Sequence, residues 1–155
     1  MPKSITVRQT ISPDEKESIC RELLSVLPEW KESAERTDEI AVRCRSIPVW
    51  AAYDEGTPCG FIAMRETSPH AAEIFAMSVK PEYQRHKLGK EMFISLLNYA
   101  RRQRYEFLQV KCSAEGSAEE QSADLFYQSL GFRELEVLEI SGAGKPCRVY
   151  IRSVN

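Results

Sequence analysis

A short basic turn separates an apolar run from an amphipathic helix in the segment Val79–Leu97, VKPEYQRHKLGKEMFISLL. After the turn, apolar residues recur at steps of three and four, which is the period of one buried helical face. The first N–H groups of a helix have no intrahelical partner, and the helix dipole adds partial positive charge there. A cationic turn that leads into such a helix is therefore suited to a phosphate or diphosphate. The alternative is that Gln84–Lys87 form only a solvated, charged surface.

The strand that enters this turn is predicted at Ala72–Val79 (AEIFAMSV), which is apolar on both alternating sets of side chains. That pattern is typical of a central strand covered on both faces. Glu73 is its one charged residue, and the sequence Ser68-Pro69-His70 breaks the chain just before it. A single carboxylate in an apolar strand is a candidate for chemistry that needs a desolvated base.

The other elements are predicted from periodicity and from turn residues. A first helix is expected after the cap residue Ser12 and is expected to end at Pro28, whereas Glu29–Pro48 is weakly periodic and is either a second short helix or a loop. Further strands are predicted at Ile5–Arg8, Val49–Tyr53, Cys59–Arg65, Phe107–Cys112, Phe132–Ile140 and Cys147–Val154, and further helices up to about Arg102 and over Ala118–Leu130.

Two details of the C-terminal part concern packing. Gly131 is expected to stop the helix before it, because glycine accepts the left-handed conformation of a helix C-terminus. In the strand that follows, Leu135 and Val137 are expected to face a core. The order of elements predicts the α+β class, that is, a mixed α/β sheet with helices packed on it, in a single domain spanning residues 1–155.

Composition excludes several classes of protein. The chain has 155 residues and a net charge of −2, which does not favour a general nucleic-acid binder. Its five cysteines are odd in number and form no C-x-x-C pair, so we expect a reducing, cytoplasmic location without a disulfide framework or a metal site. We also expect no secretory leader and no membrane partner, since no run approaches the roughly 20 apolar residues of a membrane span.

The stretches VKPEYQRHKLGKEMFISLLNYA and LFYQSLGF together resemble the GNAT superfamily of N-acetyltransferases. The first is similar to the acyl-CoA signature of that family, Q/R-x-x-G-x-G/A after a V-x-P strand end, and the second to its late helix with a Tyr shortly before Gly-Phe. The resemblance implies the acyl-CoA N-acyltransferase fold, with a central, mostly antiparallel mixed sheet flanked by helices. It also implies acetyl-CoA as co-substrate.

Specific contacts to the coenzyme are implied by the resemblance. The backbone of the central strand would bind the pantetheine arm, and the turn would bind the diphosphate. The thioester would lie between the central strand and Phe107–Cys112, which splay apart in this family. The coenzyme-binding residues implied are Met77, Ser78, Val79, Gln84, Arg85, His86, Lys87, Leu88, Gly89 and Lys90.

The chain departs from the family pattern at two positions. Lys87 stands where the first glycine of the signature usually lies, so its side chain either bends away or contacts phosphate through its ammonium. Glu120 stands where the late helix usually carries an Asn, which removes the usual contact to the coenzyme from that position.

Acetyl transfer to an amine needs a base, because the amine is normally protonated at neutral pH. Glu73 is the candidate, since an apolar setting would make its carboxylate a better base. The competing interpretation places Glu73 half exposed at the strand start or paired with an arginine. His70 is a rival base or relay that ranks lower because it follows a Ser-Pro loop, and a water molecule is a third option.

Tyr127 is the candidate for protonating the thiolate that leaves, a role implied by the family resemblance; the alternative is a core aromatic beside Phe126. The resemblance also points to the backbone N–H near Met77 for stabilising the carbonyl oxygen. Cys112 has no evident base partner and is interpreted as a packing residue.

The function predicted is transfer of an acetyl group from acetyl-CoA to a primary amine of a small molecule or protein, by direct attack in a ternary complex. A non-catalytic acyl-CoA-binding module is the alternative, and a nucleotide-binding protein ranks last because no G-x-x-x-x-G-K-[ST] loop is present. Acceptor contacts are expected from residues 30–48, 67–70 and 141–146. The strand Cys147–Val154 is expected to be an edge that could pair with a second copy in a homodimer.

Overall fold

The computed structural model describes residues 5–26, 34–84, 87–114, 118–139 and 146–155 of the chain. Within them no helix is long and apolar enough to cross a membrane. The strands are β1 (Ile5–Thr10), β2 (Val49–Asp54), β3 (Thr57–Ser68), β4 (Ala71–Val79), β5 (Phe107–Ser113), β6 (Arg133–Leu138) and β7 (Cys147–Ser153). The helices are α1 (Pro13–Ser25), α2 (Ala34–Cys44), α3 (Leu88–Arg102) and α4 (Ala118–Ser129), with a short 3-10 turn at Pro81–Tyr83.

The strands form one seven-stranded mixed sheet in the order β1-β2-β3-β4-β5-β7-β6. β4 pairs with β5 in parallel, whereas β1–β2, β2–β3, β5–β7 and β6–β7 are antiparallel. A parallel neighbour requires a crossover connection, and α3 lies in the chain between β4 and β5. The predicted α+β fold with a mostly antiparallel mixed sheet is therefore confirmed.

Two expectations for the C-terminal strands are wrong. β7 is not an edge strand, because it pairs with β5 on one side and β6 on the other. A dimer through a free β7 edge is thereby excluded. Leu135 and Val137 do not face a core but are 56% and 37% exposed, since β6 is itself an edge strand and its register shifts between Glu134 and Glu136. Such an irregularity breaks the alternation on which the prediction rested.

Residue contacts group the chain into two compact units. Unit 1 comprises Met1–Arg65 and Phe75–Tyr99, and unit 2 comprises Glu66–Ile74 and Ala100–Asn155. The prediction of a single domain stays a prediction.

The core of unit 1 lies where α1 and α2 cover one face of β2 and β3. The weakly periodic range that was open between helix and loop contains α2, whose buried residues are Thr37, Ala41 and Cys44. On the other face of β2, Trp50 packs edge-on against Tyr99 of α3 at 5.2 Å between ring centroids. The core residues on the α1–α2 side are Ile19, Cys20, Leu23, Leu24, Ala41, Cys44, Val49, Ala51, Tyr53, Phe61 and Ala63.

Unit 2 holds α4 against β5 and β7. Gly131 ends the helix as predicted, with φ of +91°, and the N–H of Phe132 donates to the carbonyl of Tyr127 at 3.1 Å. Arg148 of β7 reaches Asp124 of α4 at 3.1 Å and so ties the helix to the sheet. α4 therefore has a defined orientation over β5 and β7.

Candidate active site

The turn after β4 is attached to the β2–β3 hairpin at two points. The N–H of Lys80 donates to the carbonyl of Cys59 at 2.9 Å, and the hydroxyl of Tyr83 donates to Asp54 Oδ2 at the end of β2. Within the turn, Gln84 Nε2 donates to the carbonyl of Val79 at 3.2 Å. The turn thus leaves β4 along a defined path, and nothing in the local sequence pattern had indicated a role for Asp54.

Lys87 adopts a left-handed backbone conformation, with φ of +58°. Residues with a β-carbon rarely adopt this conformation, whereas glycine does so without steric cost. Lys87 therefore takes the glycine-like backbone at the position where the family signature has glycine, and its side chain is exposed to solvent. The departure from the signature changes the side chain and leaves the left-handed turn in place.

α3 begins directly after this left-handed residue. The carbonyl of Lys87 accepts from the N–H of Glu91 at 3.2 Å, so Lys87 is the residue that precedes the first helical turn. A lysine side chain has no hydrogen-bond acceptor and cannot cap the N–H groups there. In contrast, the hydroxyl of Ser12 accepts the N–H of Glu15 at the start of α1. Leu88 is 1% exposed and anchors α3, while Lys90 is exposed.

The end of β4 does not follow strict alternation. Phe75 and Ala76 are consecutive, and both pack against the α1–α2 core of unit 1. The hydroxyl of Ser78 reaches the same side, since it donates to the carbonyl of Leu23 in α1 at 2.9 Å. In a regular strand residues 75 and 78 would face opposite sides. β4 therefore contains a bulge-like irregularity before Val79.

Gly60 of β3 permits the close packing beside this irregularity. A β-carbon at Gly60 would lie 3.2 Å from Met92 Cε and 3.3 Å from the carbonyl oxygen of Ser78. The latter atom is backbone and cannot move aside easily. Sequence reasoning missed this residue, although an isolated glycine within a strand is a recognised sign of close backbone approach.

Glu73 is buried, with a residue exposure of 5%. Its backbone is in register with Gln109 of β5, and its Oε1 lies 4.0 Å from Nζ of Lys111. The alternative of a half-exposed Glu73 is wrong, and the ammonium of Lys111 is one cation that lies near its carboxylate. His70 is exposed in the turn after β3, with Nδ1 at 3.1 Å from Glu106 Oε2.

Tyr127 is buried on α4, with its ring edge-on to Phe126 and to Phe132 at centroid distances of 5.2 and 5.8 Å. Burial first, and then the nearby Cys112, raise the pKa of the Tyr127 phenol above its usual value. Burial also raises the pKa of the Cys112 thiol to about 12, which keeps it protonated and unreactive at neutral pH. The phenol of Tyr127 is therefore protonated at physiological pH, and its ring neighbours are those of a core aromatic.

The predicted site residues fall in both units. Unit 1 contains Met77–Val79, Gln84 and Lys87–Lys90, and unit 2 contains Glu73 and Tyr127. Arg85 and His86 lie outside the described residues, as do the side chain of Glu120 and, of the expected acceptor segments, residues 30–33 and 141–145.

This sheet order, with a left-handed residue and a helix N-terminus following β4 in the chain, is what the resemblance to the acyl-CoA N-acyltransferase fold implies. A family model described as acetyltransferase (GNAT) domain matches residues 45–134. That range is more than half of the chain and runs from the end of α2 into β6. The chain belongs to the GNAT acetyltransferase family.

Solved structures share the fold at low sequence identity. A candidate acetyltransferase of Salmonella typhimurium, solved with its cofactor acetyl-CoA, has a TM-score of 0.74 at 16% identity, over 99% of this chain and 95% of that chain. The ribosomal-protein-S18-alanine N-acetyltransferase of Escherichia coli has a TM-score of 0.74 at 16% identity, over 97% and 94% of the two chains. An aminoglycoside 6'-N-acetyltransferase complexed with coenzyme A has a TM-score of 0.72 at 16% identity, over 97% of each chain. At such identities the likeness shows the fold, and no curated protein matches the sequence.

Proposed function

We propose that this chain transfers an acetyl group from acetyl-CoA to a primary amine of a small molecule or protein, by direct attack in a ternary complex. The left-handed backbone at Lys87, directly before α3 and inside the segment that the family model matches, carries the proposal. A diphosphate needs backbone N–H groups that it can approach closely, and a glycine-like turn into a helix N-terminus provides them.

The coenzyme is expected to bind mainly through backbone groups. The hydroxyl of Ser78 is engaged with the carbonyl of Leu23, so Met77, Ser78 and Val79 would offer the pantetheine arm their backbone atoms. On the turn, the N–H groups at the start of α3 would bind the diphosphate, with the exposed ammonium groups of Lys87 and Lys90 as additional positive charge. Arg85 and His86 belong to the same proposed set.

Glu73 is the proposed base. It is the acidic residue of β4, it is buried, and a carboxylate in such a setting can accept the proton that an amine must lose. The ammonium of Lys111 lies at 4.0 Å from Oε1, beyond the range of a direct hydrogen bond. The other candidate base, His70, is exposed, and its Nδ1 contacts the carboxylate of Glu106. We therefore prefer Glu73 as the base.

The proposed acid is Tyr127. The amine nitrogen bonds to the carbonyl carbon of the thioester, the C–S bond breaks, and the sulfur leaves with the electron pair. The raised pKa of the Tyr127 phenol keeps it protonated and able to donate to that sulfur. Because a free thiol has a pKa of about 8.5, full proton transfer from this phenol would be uphill. We therefore assign Tyr127 mainly the donation of a hydrogen bond as the C–S bond breaks.

The test is release of free thiol from acetyl-CoA in the presence of a broad panel of amines, combined with calorimetric titration of coenzyme A. Turnover with at least one amine supports the enzyme. Uptake of coenzyme A without turnover across the panel would favour the alternative, a non-catalytic acyl-CoA-binding module. No uptake by folded protein would remove both functions. Both protein and small-molecule amines belong in the panel, because the structural neighbours are named for one of each.

A further inference from the structure

We infer that Tyr83 and Asp54 form a positioning pair that sets the affinity for the coenzyme by fixing the turn that leads to Lys87. This inference rests on the proposed function, since the turn is a coenzyme site only if the chain uses acetyl-CoA. Neither residue is assigned contact with the reacting atoms.

The pair connects a short 3-10 turn to a strand that is paired on both sides. Tyr83 ends the 3-10 turn Pro81–Tyr83, four residues before Lys87, and its hydroxyl donates to Asp54 Oδ2. Asp54 ends β2, where its backbone is in register with Ile5 of β1 and Thr57 of β3. A strand that pairs on both sides is a firm anchor, whereas a three-residue 3-10 turn has little internal hydrogen bonding. The hydrogen bond from the Tyr83 hydroxyl thus holds the end of the turn against the β2–β3 hairpin.

A second tether lies at the other end of the same short turn. The N–H of Lys80 donates to the carbonyl of Cys59 at 2.9 Å, and the buried thiol of Cys59 in turn donates to the carbonyl of Ala52 at 3.4 Å. With Lys80 held at the start and Tyr83 at the end, the backbone that continues to Lys87 leaves from a fixed position. Removing the Tyr83 hydroxyl would remove the tether at the end of the turn and keep the one at its start.

The bond persists through physiological pH. The hydrogen bond to Asp54 first, and then burial, raise the pKa of Tyr83 to about 12, so the phenol keeps its proton. Hydrogen bonds to a charged acceptor are about twice as strong as neutral ones. We expect the loss of such a bond at the base of a binding turn to change the affinity for the coenzyme about tenfold.

A purely electrostatic role for Asp54 predicts the opposite change in coenzyme affinity when Asp54 is removed. A carboxylate repels a diphosphate, so if charge dominated, removal of Asp54 would tighten coenzyme binding. If positioning dominates, Asp54→Ala weakens it. Tyr83→Phe removes the bond without changing any charge, and a pair that acts as one unit loses little more when both are changed.

The experiment is calorimetric titration of the full chain with coenzyme A, together with steady-state kinetics on an amine that the wild type accepts. We expect Tyr83→Phe and Asp54→Ala each to raise the Kd about tenfold and the KM for acetyl-CoA in parallel, with kcat at saturating acetyl-CoA within about twofold. The double variant should be no more than about twofold worse than either single one. Tyr105→Phe is the matched control, because Tyr105 donates to Glu66 Oε1 at 2.6 Å in unit 2 and should leave the Kd unchanged.

A Kd of Tyr83→Phe within twofold of wild type would overturn the inference, as would tighter binding by Asp54→Ala or a loss of kcat at unchanged Kd. Circular dichroism and thermal unfolding identify a variant that has lost its fold, and the other single variant then decides. If wild type binds no coenzyme A, the proposed function fails. If wild type binds and the variants do not differ from it, only the positioning role fails.

Discussion

The left-handed conformation of Lys87 predicts that Lys87→Gly stabilises the protein. A residue with a β-carbon in this region is destabilised by about 1–2 kcal/mol. Glycine removes that strain but loses more backbone entropy on folding, which offsets about 0.5–1 kcal/mol. Because the Lys87 side chain is exposed, little packing is lost. The net gain is about 0.5–1 kcal/mol, which for a domain of this size raises the Tm by roughly 2 °C.

The matched control is Lys87→Ala, which removes the ammonium but keeps the β-carbon. Urea and thermal unfolding of the two variants isolate the effect of the backbone conformation, and the comparison of Lys87→Ala with wild type isolates the charge. In calorimetry with coenzyme A, Lys87→Ala should raise the Kd about two- to fivefold, as expected for an exposed cation near a helix N-terminus. The difference should shrink as salt is added.

Equal stability of the glycine and alanine variants would refute the reasoning, because it would mean that the left-handed strain does not exceed the entropy cost of glycine at this position. An unchanged Kd of Lys87→Ala at low salt would show that the ammonium bends away from the diphosphate. The two results are independent, since the first concerns the backbone and the second concerns the side chain.

Three further substitutions test the proposed roles. Glu73→Gln should lower kcat/KM for the amine about a hundredfold and change its pH dependence, because an amide cannot accept the proton; an unchanged pH profile would exclude Glu73 as the base. Tyr127→Phe should slow turnover about a hundredfold with little change in the coenzyme Kd, and full activity would return Tyr127 to a packing role. Gly89→Trp should abolish coenzyme uptake while far-UV circular dichroism stays native, and intact uptake would place the diphosphate elsewhere.

Periodicity predicted α3 well because its buried face is continuous. Leu88, Met92, Phe93, Leu96, Leu97 and Ala100 are all buried as expected. The turn between β2 and β3 has Glu55 and Gly56 at positive φ, +49° and +88°, and glycine is the residue type that favours such a turn. These features depend on neighbours in sequence, and local pattern therefore reveals them.

The position of β7 was not readable in the same way. We expected an edge strand, yet β7 pairs with β5 as well as with β6, its neighbour in sequence. The order of strands in a sheet depends on packing across the whole sheet, which the sequence of a single strand does not show. The same reason explains β6, where Leu135 looks like a core residue and is more than half exposed.

The sequence by itself determined the family signature, the helix that follows the basic turn and the candidate residues Glu73 and Tyr127, because these depend on residue type and local spacing. Only the tertiary structure decided that Lys87 takes a glycine-like backbone, that Tyr83 is tied to Asp54 and that Lys111 lies beside Glu73. Tyr83 and Asp54 are 29 residues apart, and Glu73 and Lys111 belong to different strands. Such contacts form only when distant strands pair in the sheet, so no local sequence pattern predicts them.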